Sequence, residues 1–336
     1  MSASQTYVVF RLSALGDIML TTGPLNFWNE KRDAEFIYIT RKGLEPILQK
    51  NPAIKEIITL APHELKGLAW LTTARNLALR FKNLPLLDLH GTLRSHVLSA
   101  LWQGPVKRYP KKALARRLYN KTKNRVWKHE LEKHNVPQRY SLALEFSAPA
   151  QEELLPKLTL DQYELDAVKP HLPASSNKKP LIALHPYATH PGKAWPRDHW
   201  KQLIKLIEEN DMQWMVVGKD KTPLCPGNAQ DLTNKTDLRE TAALLQHANA
   251  LITNDSGPMH IASAVGTPVI ALFGPTSKAW GFYPAGKIDR VLERDISCRP
   301  CSLHGKYNCK RNHACLDAIC PHWPLTALIN QLKAQE

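Results

Sequence analysis

The chain alternates short, unbroken apolar runs with longer stretches in which apolar positions recur at helical spacing. YVVF (7–10), EFIYIT (35–40), EIITL (56–60) and LPLLDLHG (84–91) form a first set of runs. LIALHP (181–186), QWMVVG (213–218), ALITND (250–255) and PVIALFG (268–274) form a second. Runs without apolar–polar alternation belong to strands buried on both faces, and amphipathic stretches such as DHWKQLIKLIEEN (198–210) supply the covering helices. The pattern predicts an α/β protein of two Rossmann-like domains with parallel sheets. Between the sets, LDAVKPHLPASSNKKP (165–180) is rich in Pro, Ser and Lys and reads as a linker. The expected division is 1–165, a linker at 166–180, and 181–336. The turns after Phe10, Leu89, Leu184, Val217 and Thr253 are then expected on opposing walls of a cleft, at the strand ends where open α/β sheets bind ligands.

Length and composition agree with two globular domains: 336 residues, 43% hydrophobic and 22% charged, exceed what one core usually organises. No apolar run approaches the roughly 20 residues of a membrane-spanning helix. The segment before Tyr7 is too short and polar for a signal peptide, so a cytoplasmic location is expected. The formal charge is +15, from 45 Lys+Arg against 30 Asp+Glu, and much of the excess lies between Lys107 and Arg139. That segment is either a solvated basic face or a surface for phosphates, carboxylates or an anionic membrane. Leu118, Tyr119 and Trp127 are spaced to dock a helix face, so the segment should be structured. No RRM, KH, helix-turn-helix or zinc-finger signature accompanies it, and nucleic acid is not the expected partner.

Three loops carry the candidate chemistry. FRLSALGDIMLTTGPL (10–25) puts Arg11, Gly16 and Asp17 directly after the first strand, with Asp17 either a helix N-cap or a reacting carboxylate. LITNDSGPMHIASAVGTPVIALFGPT (251–276) runs from a buried strand through Asn254-Asp255-Ser256-Gly257 into a helix with Pro258 at its start. Small residues there let backbone N–H groups approach a ligand, and the helix N-terminus favours pyrophosphate. Asp255 is open to a capping role as well. In HPYATHPGKAWPRDHW (185–200), the Thr189 hydroxyl and the Lys193 ammonium are suited to phosphate oxygens, whereas His185, His190 and His199 are too loosely placed for a metal.

In order along the chain, RLSALGD, DLHGTLRS, ATHPGKAWP and NDSGPMHIASAVGTPVIALFGPT resemble glycosyltransferase family 9. These are the heptosyltransferases of the lipopolysaccharide inner core, with a two-domain GT-B scaffold. The resemblance implies an inverting transfer of heptose from ADP-heptose, with Asp17 as general base toward an acceptor on Kdo-lipid A or heptosyl-Kdo. It implies Thr189, Lys193, Asp255, Ser256, Gly257 and His260 at the sugar and diphosphate, Thr236 near the base and Asp220 toward the ribose. It places Arg11, Ser13, Arg41, Arg94, His134 and Arg139 on the acceptor side, facing a polyanionic lipid at the cytoplasmic leaflet of the inner membrane. Pro191 and Gly192 stand where the family often has an acidic pair, and Ala188 where it often has a hydroxyl, which leaves the donor sugar open. Another nucleotide sugar, or nucleotide-sugar epimerisation, remains an alternative on the same scaffold. A noncatalytic anion-binding protein would leave SALGD, ATHPGK and NDSGPMH unexplained.

The C-terminal segment CRPCSLHGKYNCKRNHACLDAIC holds five of the six cysteines. Cys298, Cys301, Cys309 and Cys315 are candidates for a structural zinc site, with packing thiols or a local disulfide as the other readings. Inversion needs no thiol, and no cofactor is expected in catalysis.

Overall fold

The computed structural model describes residues 5–173, 179–305 and 309–335. Contacts divide the chain into two compact units, Met1–Lys112 with Val136–Thr159, and Ala113–Asn135 with Leu160–Glu336.

The first unit holds strands β1 (Thr6–Phe10), β2 (Glu35–Arg41), β3 (Ile54–Leu60), β4 (Leu86–Asp88) and β5 (Val106–Arg108). All pair in parallel, in the order β3-β2-β1-β4-β5. Its helices are α1 (Leu15–Arg32), α2 (Gly67–Arg80) and α3 (Leu93–Leu101); α4 (Ala113–Thr122) and α5 (Arg125–Glu132) follow in sequence, and α6 (Val136–Ser141) returns to the unit. Val8 and Phe10 of β1 with Ile37 and Ile39 of β2 are buried against Trp70 and Ala74 of α2, which explains why those strands read as continuous apolar runs.

The second unit holds β6 (Leu181–His185), β7 (Gln213–Val216), β8 (Ala250–Asn254), β9 (Val269–Phe273) and β10 (Arg290–Glu293), parallel in the order β10-β9-β8-β6-β7. Around it lie α7 (Gln162–Ala167), α8 (Arg197–Glu209), α9 (Leu238–His247), α10 (Gly257–Ala264), α11 (Ala314–Asp317) and α12 (His322–Lys333). Trp200, Leu203 and Ile207 of α8 pack in one core with Ile182 and Leu184 of β6.

The single cut near residue 165 requires correction. The basic segment forms α4 and α5, and Ala115, Tyr119 and Leu131 bury against Ala279 and Trp280 of the second unit, with Tyr119 and Trp280 edge to face at 5.7 Å. Helical order also enters the expected linker: α7 reaches Ala167, and a 3₁₀ turn covers Lys169–His171. Glu164 of α7 pairs with Arg239 of α9, both largely shielded from water. The rest of the linker partly lies outside the described residues, at 174–178. No helix among the described residues is long and apolar enough to cross a membrane.

Candidate functional site

Each sheet has one point at which successive strands leave in opposite directions. In the first unit it lies between β1 and β4, in the second between β6 and β8. Loops at the carboxyl ends of such strand pairs diverge and leave a crevice, and the sequence motifs fall on these four loops.

At the first crevice, the turn after β1 is confined to 11–14, and Gly16 and Asp17 lie in the first turn of α1. Asp17 is therefore not the N-cap. It is the third helical residue, and its Oδ2 accepts from the Ala14 N–H at 3.3 Å. Its Oδ1 is 2.6 Å from Nη2 of Arg11 and accepts from the Tyr140 hydroxyl at 3.2 Å. Arg11 is 6% exposed; Nε donates to the Ser13 carbonyl at 2.8 Å and Nη1 to the Leu89 carbonyl at 2.5 Å. Burial opposes the Arg11 charge, but Asp17, with Tyr140, Tyr109 and Tyr38, raises its affinity for the proton well above the ordinary value.

The second loop of this crevice is built by Asp88, fully buried at the end of β4. One carboxylate oxygen accepts from the His90 and Gly91 N–H groups at 3.0 and 2.8 Å, and the other holds Nε of Arg108 at 2.7 Å. Gly91 takes φ +58°, a left-handed conformation that closes this turn. Lys111 caps it by donating to the Gly91 carbonyl at 2.8 Å. His90 packs edge to face on Phe10, and burial, then the Arg11 and Lys111 charges, lower its pKa to about 4.

The acceptor-side cations are less uniform than the resemblance implies. Arg41 and Arg94 are exposed, with Arg94 Nε donating to the Leu65 carbonyl at 2.8 Å. Arg139 is 3% exposed within α6, and His134 belongs to the second unit. Tyr140, Tyr109 and His90 are the residues that reading the sequence missed. Tyr140 stands 123 positions from its partner Asp17, with no local signal, although His90 lay inside a quoted motif.

At the second crevice Lys193 and Asp255 meet. Lys193 Nζ is 2.6 Å from Asp255 Oδ2, and the Thr276 hydroxyl donates to the same oxygen at 2.8 Å. Asp255 is thus not a helix cap. The N-cap of α10 is Ser256, which makes no side-chain cap; its hydroxyl lies 3.0 Å from Nδ1 of His185 and 3.2 Å from the Thr253 hydroxyl. The first turn of α10, including Gly257, thereby keeps backbone donors without a side-chain cap, the arrangement that suits an anion. His185 is buried under Gly218, and burial lowers its pKa to about 4, so it is neutral near pH 7. His260 is buried, 6.4 Å ring to ring from Phe282.

The remaining donor-side positions are dispersed. Thr189 is exposed in the β6 loop. Thr236 is buried, its hydroxyl 2.9 Å from that of Thr241, and Asp220 accepts from the Thr222 N–H at 2.9 Å in the loop after β7. Cys298, Cys301, Cys309 and Cys315 line one small cavity together with Gly192 and Pro275. No group of three or more His, Cys, Asp or Glu among the described residues is gathered into a metal-ligand sphere.

The family model for glycosyltransferase family 9 (heptosyltransferase) matches residues 81–310. The chain is 32% identical over 174 residues to lipooligosaccharide heptosyltransferase 2 of Haemophilus influenzae; 47% of this chain is covered, and it spans about half (49%) of that relative. It is 26% identical to lipopolysaccharide heptosyltransferase 1 of Pseudomonas aeruginosa, over 88% of this chain and 85% of the relative. The fold is similar to that of the Escherichia coli ADP-heptose LPS heptosyltransferase II, with a TM-score of 0.71 at 20% identity, over 98% of this chain and 99% of the other. With more than half its length matched by the family model, the chain belongs to glycosyltransferase family 9.

Proposed function

We propose that the protein is an inverting glycosyltransferase that moves heptose from ADP-heptose to an inner-core acceptor of lipopolysaccharide, on Kdo-lipid A or heptosyl-Kdo. The observation that carries this reading is the pairing of Lys193 with Asp255 beside the uncapped N-terminus of α10. It is a pre-formed place for a diphosphate, on a chain whose relatives carry heptosyltransferase names.

The Asp17 carboxylate takes the proton of the acceptor hydroxyl as that oxygen bonds to the anomeric carbon. The bond from that carbon to the diphosphate oxygen breaks on the opposite face, and its electron pair leaves with ADP. Charge grows on the leaving phosphate oxygens. Lys193 and the backbone donors at Ser256 and Gly257 are fixed before the reaction, so they stabilise that charge without reorganising. Asp255 and Thr276 hold the Lys193 ammonium in place, and His185 turns the Ser256 hydroxyl away from capping the helix. Arg11, locked by the Ser13 and Leu89 carbonyls, fixes the Asp17 carboxylate toward the acceptor.

Peripheral attachment to an anionic membrane surface completes the reading. Leu114 and Val126 are exposed on α4 and α5, among Arg116, Arg117, Lys121, Arg125 and Lys128, a combination that suits acidic headgroups. Calorimetric titration with ADP and with UDP tests the donor half. ADP binding that weakens in Lys193→Ala supports the reading; preference for UDP would keep the site and change the sugar, and binding of neither would overturn it.

A further inference from the structure

The loop from Pro186 to Trp195 joins β6 to α8 and carries Thr189 and Lys193. One 3₁₀ turn gives it internal backbone bonds: the Lys193 N–H donates to the His190 carbonyl at 2.9 Å, and the Ala194 N–H to the Pro191 carbonyl at 3.1 Å. A turn that short shapes the loop around Lys193 but does not fix where the two ends of the loop stand.

Both ends meet at one side chain. Asn254 Nδ2 donates to the Pro186 carbonyl at 2.8 Å, and the Trp195 N–H donates to Asn254 Oδ1 at 3.1 Å. Asn254 is the last residue of β8 and is fully buried. An amide carries a donor and an acceptor on two atoms of one short side chain, whereas a carboxylate of the same shape lacks the donor and an aliphatic chain lacks both. The Trp195 ring secures its end further, with Nε1 donating to the Ile319 carbonyl at 2.9 Å.

The residues after Asn254 complete the arrangement. Asp255 holds the Lys193 ammonium at 2.6 Å, and Ser256 and Gly257 open α10. Four consecutive positions thus place the loop, the cation it carries and the helix N-terminus in one frame.

We propose that Asn254 is the positioning residue for Lys193 in donor binding, on the reading that this crevice takes the diphosphate. Closing the loop at both ends removes most of the conformational freedom that Lys193 would otherwise lose when a phosphate docks. Without the amide, the Pro186 carbonyl and the Trp195 N–H lose a buried partner, and the loop opens toward water to satisfy them.

The test is a double-mutant cycle read by calorimetric titration of the full-length protein with ADP. Asn254→Ala should weaken ADP binding roughly threefold to tenfold, and should raise the donor KM while leaving the acceptor KM unchanged. In a Lys193→Ala background the same substitution should cost under about twofold more, since its effect passes through the lysine. Equal losses in both backgrounds would make Asn254 a general support of the fold and overturn the proposal. ADP affinity lowered by Lys193→Ala but not by Asn254→Ala would overturn it alone, and affinity unchanged in Lys193→Ala would overturn the donor reading with it. Hydrogen exchange of wild-type protein needs no variant to fold: segment 186–195 should be protected before ADP is added. Free exchange there until ADP binds would show that the ligand, not Asn254, orders the loop.

Discussion

Lys193 Nζ stands 2.6 Å from the carboxylate of Asp255, and the Thr276 hydroxyl meets the same oxygen. The three residues come from the loops after β6, β8 and β9. The ammonium is therefore held by the ends of three strands rather than left to a flexible surface chain. Such fixing lowers the entropy lost when a phosphate docks.

Lys193→Ala removes the cation of this group and leaves Asp255 without its ionic partner. A charge-assisted hydrogen bond contributes about 1.5–3 kcal/mol, so ADP affinity should fall roughly tenfold to a hundredfold in calorimetry. Unchanged affinity would remove Lys193 from the donor site.

Asp17→Ala should leave ADP binding intact and lower turnover by about 10²–10⁴-fold, the usual contribution of a positioned general base. The check is single-turnover kinetics beside the same titration. Full turnover in the variant would end the role assigned to Asp17.

Gly23 lies in α1 where the Leu154 backbone crosses it, and a Cβ there would sit 2.1 Å from the Leu154 carbonyl oxygen. Backbone cannot swing aside as a side chain does. Gly23→Ala should therefore destabilise by about 1–3 kcal/mol despite its better helix propensity. A denaturant midpoint equal to that of the wild type would show that the crossing relaxes.

Eight of the ten strands stood out in the sequence as apolar runs: seven are buried along most of their length, as YVVF and PVIALFG are, and the edge strand Ile54–Leu60, mostly half-buried or exposed, stood out by its EIITL stretch. Val106–Arg108 and Arg290–Glu293 did not, since each is a sheet edge with charged residues at two of three or two of four positions, where one side needs no apolar cover. The site divides in the same way. Arg11, Asp17, Lys193 and Asp255 lie within a few residues of a strand end, so local pattern finds them. Tyr140 reaches Asp17 only because α6 packs on α1, and no spacing in the chain encodes that approach. The assignment of α4 and α5 to the second unit likewise depends on Tyr119 meeting Trp280, a contact across more than 150 residues of sequence.

Tyr140 donates to Asp17 Oδ1, and a hydrogen bond to the charged form favours that form. Tyr140→Phe should therefore raise the pKa of Asp17 and move the acid limb of the kcat/KM profile to higher pH, while ADP affinity stays constant. A drop in rate with no displacement of that limb would mean that Tyr140 only packs.

His90 and His185 are both buried with pKa values lowered to about 4, chiefly by burial, against 6.5 when unfolded. Between those values the unfolded chain binds more protons than the folded one. Stability contributed by the neutral imidazoles is thus complete above pH 6.5 and is lost as pH falls toward 4. Each histidine adds up to about 1.4 kcal/mol per pH unit to the slope within that window. Urea midpoints measured from pH 7 to 4.5 should fall steadily for the wild type. His185→Gln should be less stable at pH 7, because its partners Ser256 and Thr253 are disturbed, but its midpoint should change less with pH. An equal slope in both proteins would show that His185 takes up its proton over the same pH range folded and unfolded, and would overturn the lowering of its pKa by burial.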